Sequence, residues 1–324
     1  MRRAGVLIGL AVLITVAGAS PAAAQAWLPP QNYLGVTLFT QGIDHYGRIL
    51  ETGPTECCGT TNVALGVEVV YGVTDRLALS GGLPFVWSKY SGDKPQGKVA
   101  FLPYSPLDEC HCTHGAWQDV RVGASYNLFR TRRTSITPAI SFGTPTHAYE
   151  YSGEAAAGFG LKEMGLSVDV GQRLDMLTRG LSFEGGYRYA IVEQSLDISH
   201  NRSNAHIDVD YRFLRHFIGH GVVSWQRTHG GLRIPYDIEP YPELHTEFHR
   251  LVRDNYVHLG GGLTYRLREW ELSGRYLQAV SGYQTHRIHV YSFTVSRAFR
   301  FGRRAPAPAS SAPLESTAQT VPSP

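Results

Sequence analysis

The chain has few cysteines, methionines and lysines, and past residue 24 it has no long apolar run. Cysteine numbers four and methionine three among 324 residues. Lysine occurs only at Lys89, Lys94, Lys98 and Lys162, so the basic charge is almost all arginine. A formal net charge of +3 gives no basic field able to gather a phosphate backbone, which argues against a dedicated nucleic-acid binder. No stretch after residue 24 stays apolar for the roughly 20 residues a spanning helix needs, which excludes a helical inner-membrane transporter. There is no Gly-x-Ser-x-Gly, no phosphate-cradling loop and no dinucleotide fingerprint, so the chain does not read as an enzyme. His220 and Ser224 sit four apart on one expected strand. They share a face but are separated by too much rise, at about 3.4 Å per residue, to hydrogen-bond directly.

What is present is glycine (35), tyrosine (18) and a hydrophobic fraction of 43%, too apolar for a disordered chain. Arg2 and Arg3 precede an apolar stretch from Gly5 to Val16. Ala22-Ala23-Ala24 and Ala24-Gln25-Ala26 then supply small-x-small cleavage patterns. Residues 1–24 therefore read as a signal peptide removed during secretion across an inner membrane. Residues 303–324, rich in Pro, Ala and Ser, read as a disordered tail.

Between them the dominant period is two. Val120, Val122, Ala124, Tyr126 and Leu128 alternate with Arg121, Gly123, Ser125 and Asn127, and Ile207, Val209, Tyr211 and Phe213 alternate with Asp208, Asp210 and Arg212. Twelve such segments are expected: 32–41, 62–72, 77–89, 117–128, 134–146, 163–174, 181–193, 204–214, 218–228, 254–267, 270–280 and 286–299. Their connections alternate between short turns and longer loops at 42–61, 90–116, 147–162, 194–203, 229–253 and 281–285. That is the plan of a transmembrane, antiparallel, up-and-down β-barrel of an outer membrane, with short periplasmic turns and long extracellular loops. A soluble sandwich has no reason to alternate its loop lengths. The expected barrel occupies 27–302, in a Gram-negative-type envelope, with outer-membrane lipids around it. The final strand, with Tyr291, Phe293 and Phe299, resembles the terminal aromatic signal read by barrel-insertion machinery.

Several stretches resemble a known family. Val73-Thr-Asp-Arg-Leu-Ala-Leu-Ser-Gly-Gly-Leu-Pro-Phe85 looks like its tight turn and the strand that follows. Asp119-Val-Arg-Val-Gly-Ala-Ser-Tyr126 looks like its Asp-x-Arg-x-Gly-x-x-Tyr strand, and Gly143-Thr-Pro145 resembles a strand end of reversed order. These features are similar to the outer-membrane transporters of the phenol meta-pathway family. The resemblance implies a signal-bearing outer-membrane barrel that acts as a transporter, without identifying a substrate.

If the apolar set faces lipid, the polar set lines the lumen. The lumen candidates are then Glu68, Asp119, Arg121, Asp169, Arg173, Glu184, Arg188, Asp208, Asp210, Arg212, Arg266, Glu271 and Arg275. Twelve strands fall between eight, where side chains fill the interior, and sixteen, where a channel opens. A mixed lining therefore has two readings, a narrow pore for a small-molecule solute or a salt-bridge network that closes the barrel. A non-conducting barrel whose loops bind a partner or metal is the alternative to a channel.

Cys57 and Cys58 fall in the first long loop, and Cys110 and Cys112 in the second. In an oxidising compartment, cross-loop disulfides are expected, 57–110 with 58–112 or 57–112 with 58–110. A zinc or copper site is the sharper alternative, built from these four thiols with His111 and His114. In the fifth loop His245 and His249 stand four apart after Pro242, on one face of a short helix, which reads as a solvated loop helix or a surface metal pair. No other cofactor is expected.

Overall fold

The computed structural model describes residues 26–50, 53–55, 59–92, 105–175, 177–233, 237, 244 and 247–301. The expected signal segment 1–24 and tail 303–324 lie outside them. The chain builds one antiparallel sheet that closes on itself. Its strands are β1 (Tyr33–Leu50), β2 (Gly53–Thr55), β3 (Thr60–Gly72), β4 (Leu77–Tyr90), β5 (Thr113–Trp117), β6 (Asp119–Tyr126), β7 (Phe129–Arg130) and β8 (Thr134–Pro145). They continue as β9 (Glu163–Arg173), β10 (Leu181–Val192), β11 (His200–Arg212), β12 (Phe217–Gly230), β13 (Asn255–Leu267), β14 (Trp270–Tyr283) and β15 (Thr285–Arg300). Each long strand pairs with its neighbours in the chain, and β15 returns to β1 in register from Tyr33↔Arg300 to Ile49↔Thr285. The result is a closed 12-strand barrel, with β2, β5 and β7 as short extensions of its staves. Closure removes every sheet edge, which a strand-built membrane protein requires because hydrocarbon offers no partner to a free N–H or C=O. Among the described residues no helix is long and apolar enough to cross a membrane.

The alternation sorts the side chains as expected. On β9, Met164, Leu166, Val168 and Val170 face out, while Glu163, Gly165, Ser167 and Asp169 face in. Val122 is 53% exposed on the outer face, against 2% for Asp169 inside. Outward aromatics gather near both rims, Trp87, Trp117 and Trp225 toward the long loops and Tyr71, Tyr126, Tyr211, Tyr265 and Trp270 toward the short turns. The short turns are held by local chemistry. Thr74 Oγ1 accepts the N–H of Arg76 and Leu77, and Thr131 Oγ1 accepts those of Arg133 and Thr134, so a hydroxyl stands in for a missing ladder partner.

Three expected boundaries need correction. β1 runs to Leu50 rather than 41, so the first long loop is not 42–61 but the stretch between Leu50 and Thr60. Gly42, Asp44, His45 and Gly47 break the apolar alternation, yet they pair with β15 across a bulge at His45/Gly47. β11 begins at His200, not 204. The last connection at this end is a single residue, Gln284, in a left-handed conformation (φ 57°), rather than a loop.

Candidate functional site

The lumen is closed at its long-loop end by the segment between β8 and β9, which folds into the mouth. Glu154 at its tip is nearly buried, 3.0 Å from Arg48 Nη2 and 2.9 Å from His286 Nε2. Burial would raise this carboxyl, but Arg48 and His286 hold it well below the usual carboxylate range. The backbone of the same segment is tied to a one-turn helix, Pro106–Glu109, where the Asp108 carboxylate accepts the N–H of Glu154 and of Ala155 at 2.9 Å each. Burial of Asp108 outweighs these bonds and raises its pKa. Ala155 packs on the buried Tyr90. A second anchor is Glu247, which accepts hydrogen bonds from Tyr151 Oη and Ser195 Oγ at 2.8 Å and from Arg250 Nε at 2.6 Å. One carboxylate thereby joins three loops. An apolar cluster of Leu161, Ala190, Val192, Leu232 and Leu251 lies beneath them. His249 is buried near Glu154, Arg48 and His286, and burial brings its pKa down to about 4. This corrects the expectation of a solvated loop helix. His245 lies outside the described residues.

Below this stopper is a cavity of about 150 Å³. Its apolar wall is Phe39, Phe159, Leu161 and Val192, and its polar wall is Glu68, Asp119, Arg121, Glu163 and Arg202. Arg188 and Arg202 both clamp Glu163. Tyr149 Oη donates to Asp119 Oδ1 at 2.7 Å and accepts the N–H of Gly160 at 3.0 Å, which fixes the loop over the cavity. Burial and then the Asp119 contact raise the Tyr149 hydroxyl pKa, so it stays a donor. Glu68, Asp119 and Arg121 thus meet at one site.

The remaining lumen candidates are spread along the barrel. Arg275 Nη1 bonds Asp208 Oδ1 at 3.0 Å, spanning from β14 to β11, and His220 bonds Asp210 at 2.6 Å and Thr264 Oγ1 at 2.7 Å. His220 is therefore committed away from Ser224. Arg266 and Glu271 pair at 2.7 Å near the short turns, and Arg212 is exposed at that rim. Asp169 and Glu184 lie close to each other and to His206.

At the short-turn end the residues just before β1 enter the lumen. Ala26 and Leu28 are buried, and the Ala26 carbonyl accepts hydrogen bonds from Asn127 Nδ2, Ser135 Oγ and Thr137 Oγ1, all inward-facing. The Ala26 N–H donates to Glu184 Oε1 at 3.3 Å. Arg173 stacks over Trp27 at 4.7 Å.

The cysteines depart from the expected cross-loop bridges. Cys110 is joined to Cys112, with Cα atoms 5.1 Å apart, so neither is left for a partner in the first loop. His111 lies between them with φ 47°, a left-handed turn that brings the flanking residues together. His114 Nε2 stands 3.2 and 3.4 Å from the two sulfurs, whereas His111 stacks on Tyr90. Cys57 and Cys58 lie outside the described residues. Sequence reasoning missed Glu163 and Arg202. Extending the Asp169 alternation backward reaches Glu163, but Arg202 lay beyond the strand start expected at 204.

No family model and no curated sequence matches the chain. Its fold is similar to that of the COG4313 outer membrane channel from Pseudomonas putida F1. The TM-score is 0.63 at 12% identity, over 87% of this chain and 100% of that one. The CymD monoaromatic hydrocarbon channel aligns at TM-score 0.44 and 12% identity, over 84% of this chain and 90% of that one. The KdgM porin aligns at 0.42 and 12%, over 82% and 99%. At this identity the first likeness is one of fold.

Proposed function

We propose that the chain is an outer-membrane channel for a small solute, with the short turns in the periplasm and the long loops outside. The observation that carries this reading is the reversal of polarity across the wall. A closed sheet has an apolar outer face rimmed by aromatics and an inner face of charges and hydroxyls. A soluble protein would bury the apolar face instead. The overall likeness to the COG4313 outer membrane channel supports the same reading. The solute fits the cavity chemistry, with an apolar body against Phe39, Phe159 and Val192 and a polar end toward Arg121 or Asp119. No covalent chemistry is assigned to these residues. Insertion would use the barrel-assembly machinery, after secretion with cleavage of a signal peptide.

The test is solute flux into proteoliposomes carrying the purified chain, with a gel shift between boiled and unboiled samples to establish the folded barrel. Slow swelling driven by small solutes, limited by rare openings of the long-loop segment, is the expected result. A folded barrel that passes nothing would favour instead a closed barrel whose loops bind a partner. The face assignment is checked separately. Arg in place of Val122, near the bilayer midplane, should cost about 2–4 kcal/mol, and in place of Val209, next to the Tyr211 rim, less, both read by denaturant unfolding in lipid. Neutral results at both sites would reverse inside and outside.

A further inference from the structure

We propose that Asp169, Glu184 and His206 form a binding site for a divalent transition-metal ion in the barrel wall. The register builds it. Asp169 on β9, Gly186 on β10 and His206 on β11 form one row across three strands, and all three residues face the lumen. The middle position has no side chain, so the imidazole and the carboxylate converge above it, with His206 Nε2 3.6 Å from Asp169 Oδ1. A Cβ at Gly186 would collide with Asp169 Oδ1 and His206 Cε1, so glycine is what leaves the space. Glu184 lies two residues back on the same face and reaches into the same volume. One ligating atom from each of the three lies within 4.8 Å of the others.

The second observation is electrostatic. Asp169 is 2% exposed, and its Oδ2 has no hydrogen-bond partner. Among the described residues, neither Asp169 nor Glu184 has an arginine or lysine salt-bridge partner, whereas the nearby Asp208 is held by Arg275 at 3.0 Å. Two adjacent carboxylates without a salt-bridge partner in a lumen wall are costly unless a proton or a cation neutralises them. The imidazole selects what that is. A lone-pair nitrogen beside two carboxylates suits Zn²⁺, Mn²⁺ or Fe²⁺, and it adds little for Ca²⁺ or for an ammonium group. Three protein ligands leave a coordination position open to the lumen. Glu184 is shared with the N-terminal stopper through the Ala26 N–H, so a bound ion would draw on the carboxylate that holds that segment.

The test is equilibrium dialysis of the full-length, detergent-folded barrel against ZnCl₂, with metal counted by mass spectrometry. A Cys57→Ser/Cys58→Ser/Cys110→Ser/Cys112→Ser background removes the loop cysteines as a rival site. One zinc per barrel is expected, displaced by Mn²⁺ at excess but not by Ca²⁺. His206→Ala, Asp169→Asn and Gly186→Ala should each weaken retention by at least about tenfold while still migrating as folded barrels. His206→Ala removes a ligand without crowding the site, and it keeps the proposal testable if Gly186→Ala fails to fold. No retained zinc, or retention unchanged in His206→Ala and Asp169→Asn, would overturn the site.

Discussion

At its two ends the lumen holds a chain segment by different chemistry. At the long-loop end a chain segment is held by charge, through the Glu154 carboxylate against Arg48 and His286 and Glu247 against Arg250. At the short-turn end the residues before β1 are held by three neutral donors, Asn127, Ser135 and Thr137, on one backbone carbonyl, with the Glu184 carboxylate on the Ala26 N–H. A buried ion pair is sensitive to the loss of either partner and to protons, because each removal leaves an uncompensated charge. A set of neutral hydrogen bonds fails gradually, about 0.5–1.5 kcal/mol at a time, and none of these three donors titrates. The outer stopper therefore has the chemistry of a switch, and the inner one that of a latch.

The sharpest way to break this contrast is Glu154→Gln. It leaves Arg48 buried without its carboxylate, and about 3–5 kcal/mol of loop closure should be lost. The expected readout is faster protease nicking between 146 and 162 with the barrel itself still folded, and unchanged nicking would mean the ion pair does not hold the loop. Next in size is pH. His249 in the closed mouth has a pKa of about 4 against an ordinary value near 6.5, so the closed state binds fewer protons than the open one. Closure is then fully stable above about pH 6.5 and weakens as pH falls toward 4, by up to roughly 3 kcal/mol. Glu154 opposes this shift, while Arg48 and His286 reinforce it, and His45 adds a further basic group to the same cluster. Conductance that rises between pH 6.5 and 4 in the wild type and rises less in His249→Phe is the expected outcome. The smallest effect belongs to the inner latch. Ser135→Ala with Thr137→Ala should loosen it by about 1 kcal/mol per bond, seen as lower amide-exchange protection factors at Trp27 and Leu28. Unchanged protection factors would mean that these hydroxyls do not hold the segment.

The barrel was legible because period two is local. Val122 and Val209 disclose their face to anyone reading their neighbours, and the alternation of turn and loop lengths needs only counting. What was not legible is contact between residues far apart in the chain. Nothing near Ala26 announces that its carbonyl meets Asn127, Ser135 and Thr137, which lie 101, 109 and 111 residues away. The same holds for Glu154 and His286, 132 residues apart. The far half of β1 was hidden for another reason. His45 and Asp44 look like loop residues, and only pairing with β15 makes them strand. Cys110 bonding to Cys112 rather than across loops depends on one residue in a left-handed conformation, which spacing does not disclose. Of the lumen set, Glu68, Asp119 and Arg121 meet at the cavity with Glu163, but Arg202 emerges only once the start of β11 at His200 is known.

The most direct test of the account is single-channel recording in planar bilayers at neutral pH, comparing wild type with Glu154→Gln. A channel closed by a charge-held loop should conduct rarely as wild type and open for long intervals as Glu154→Gln. Equal, steady conductance in both would contradict it, because the lumen would then be open past a loop that stops nothing.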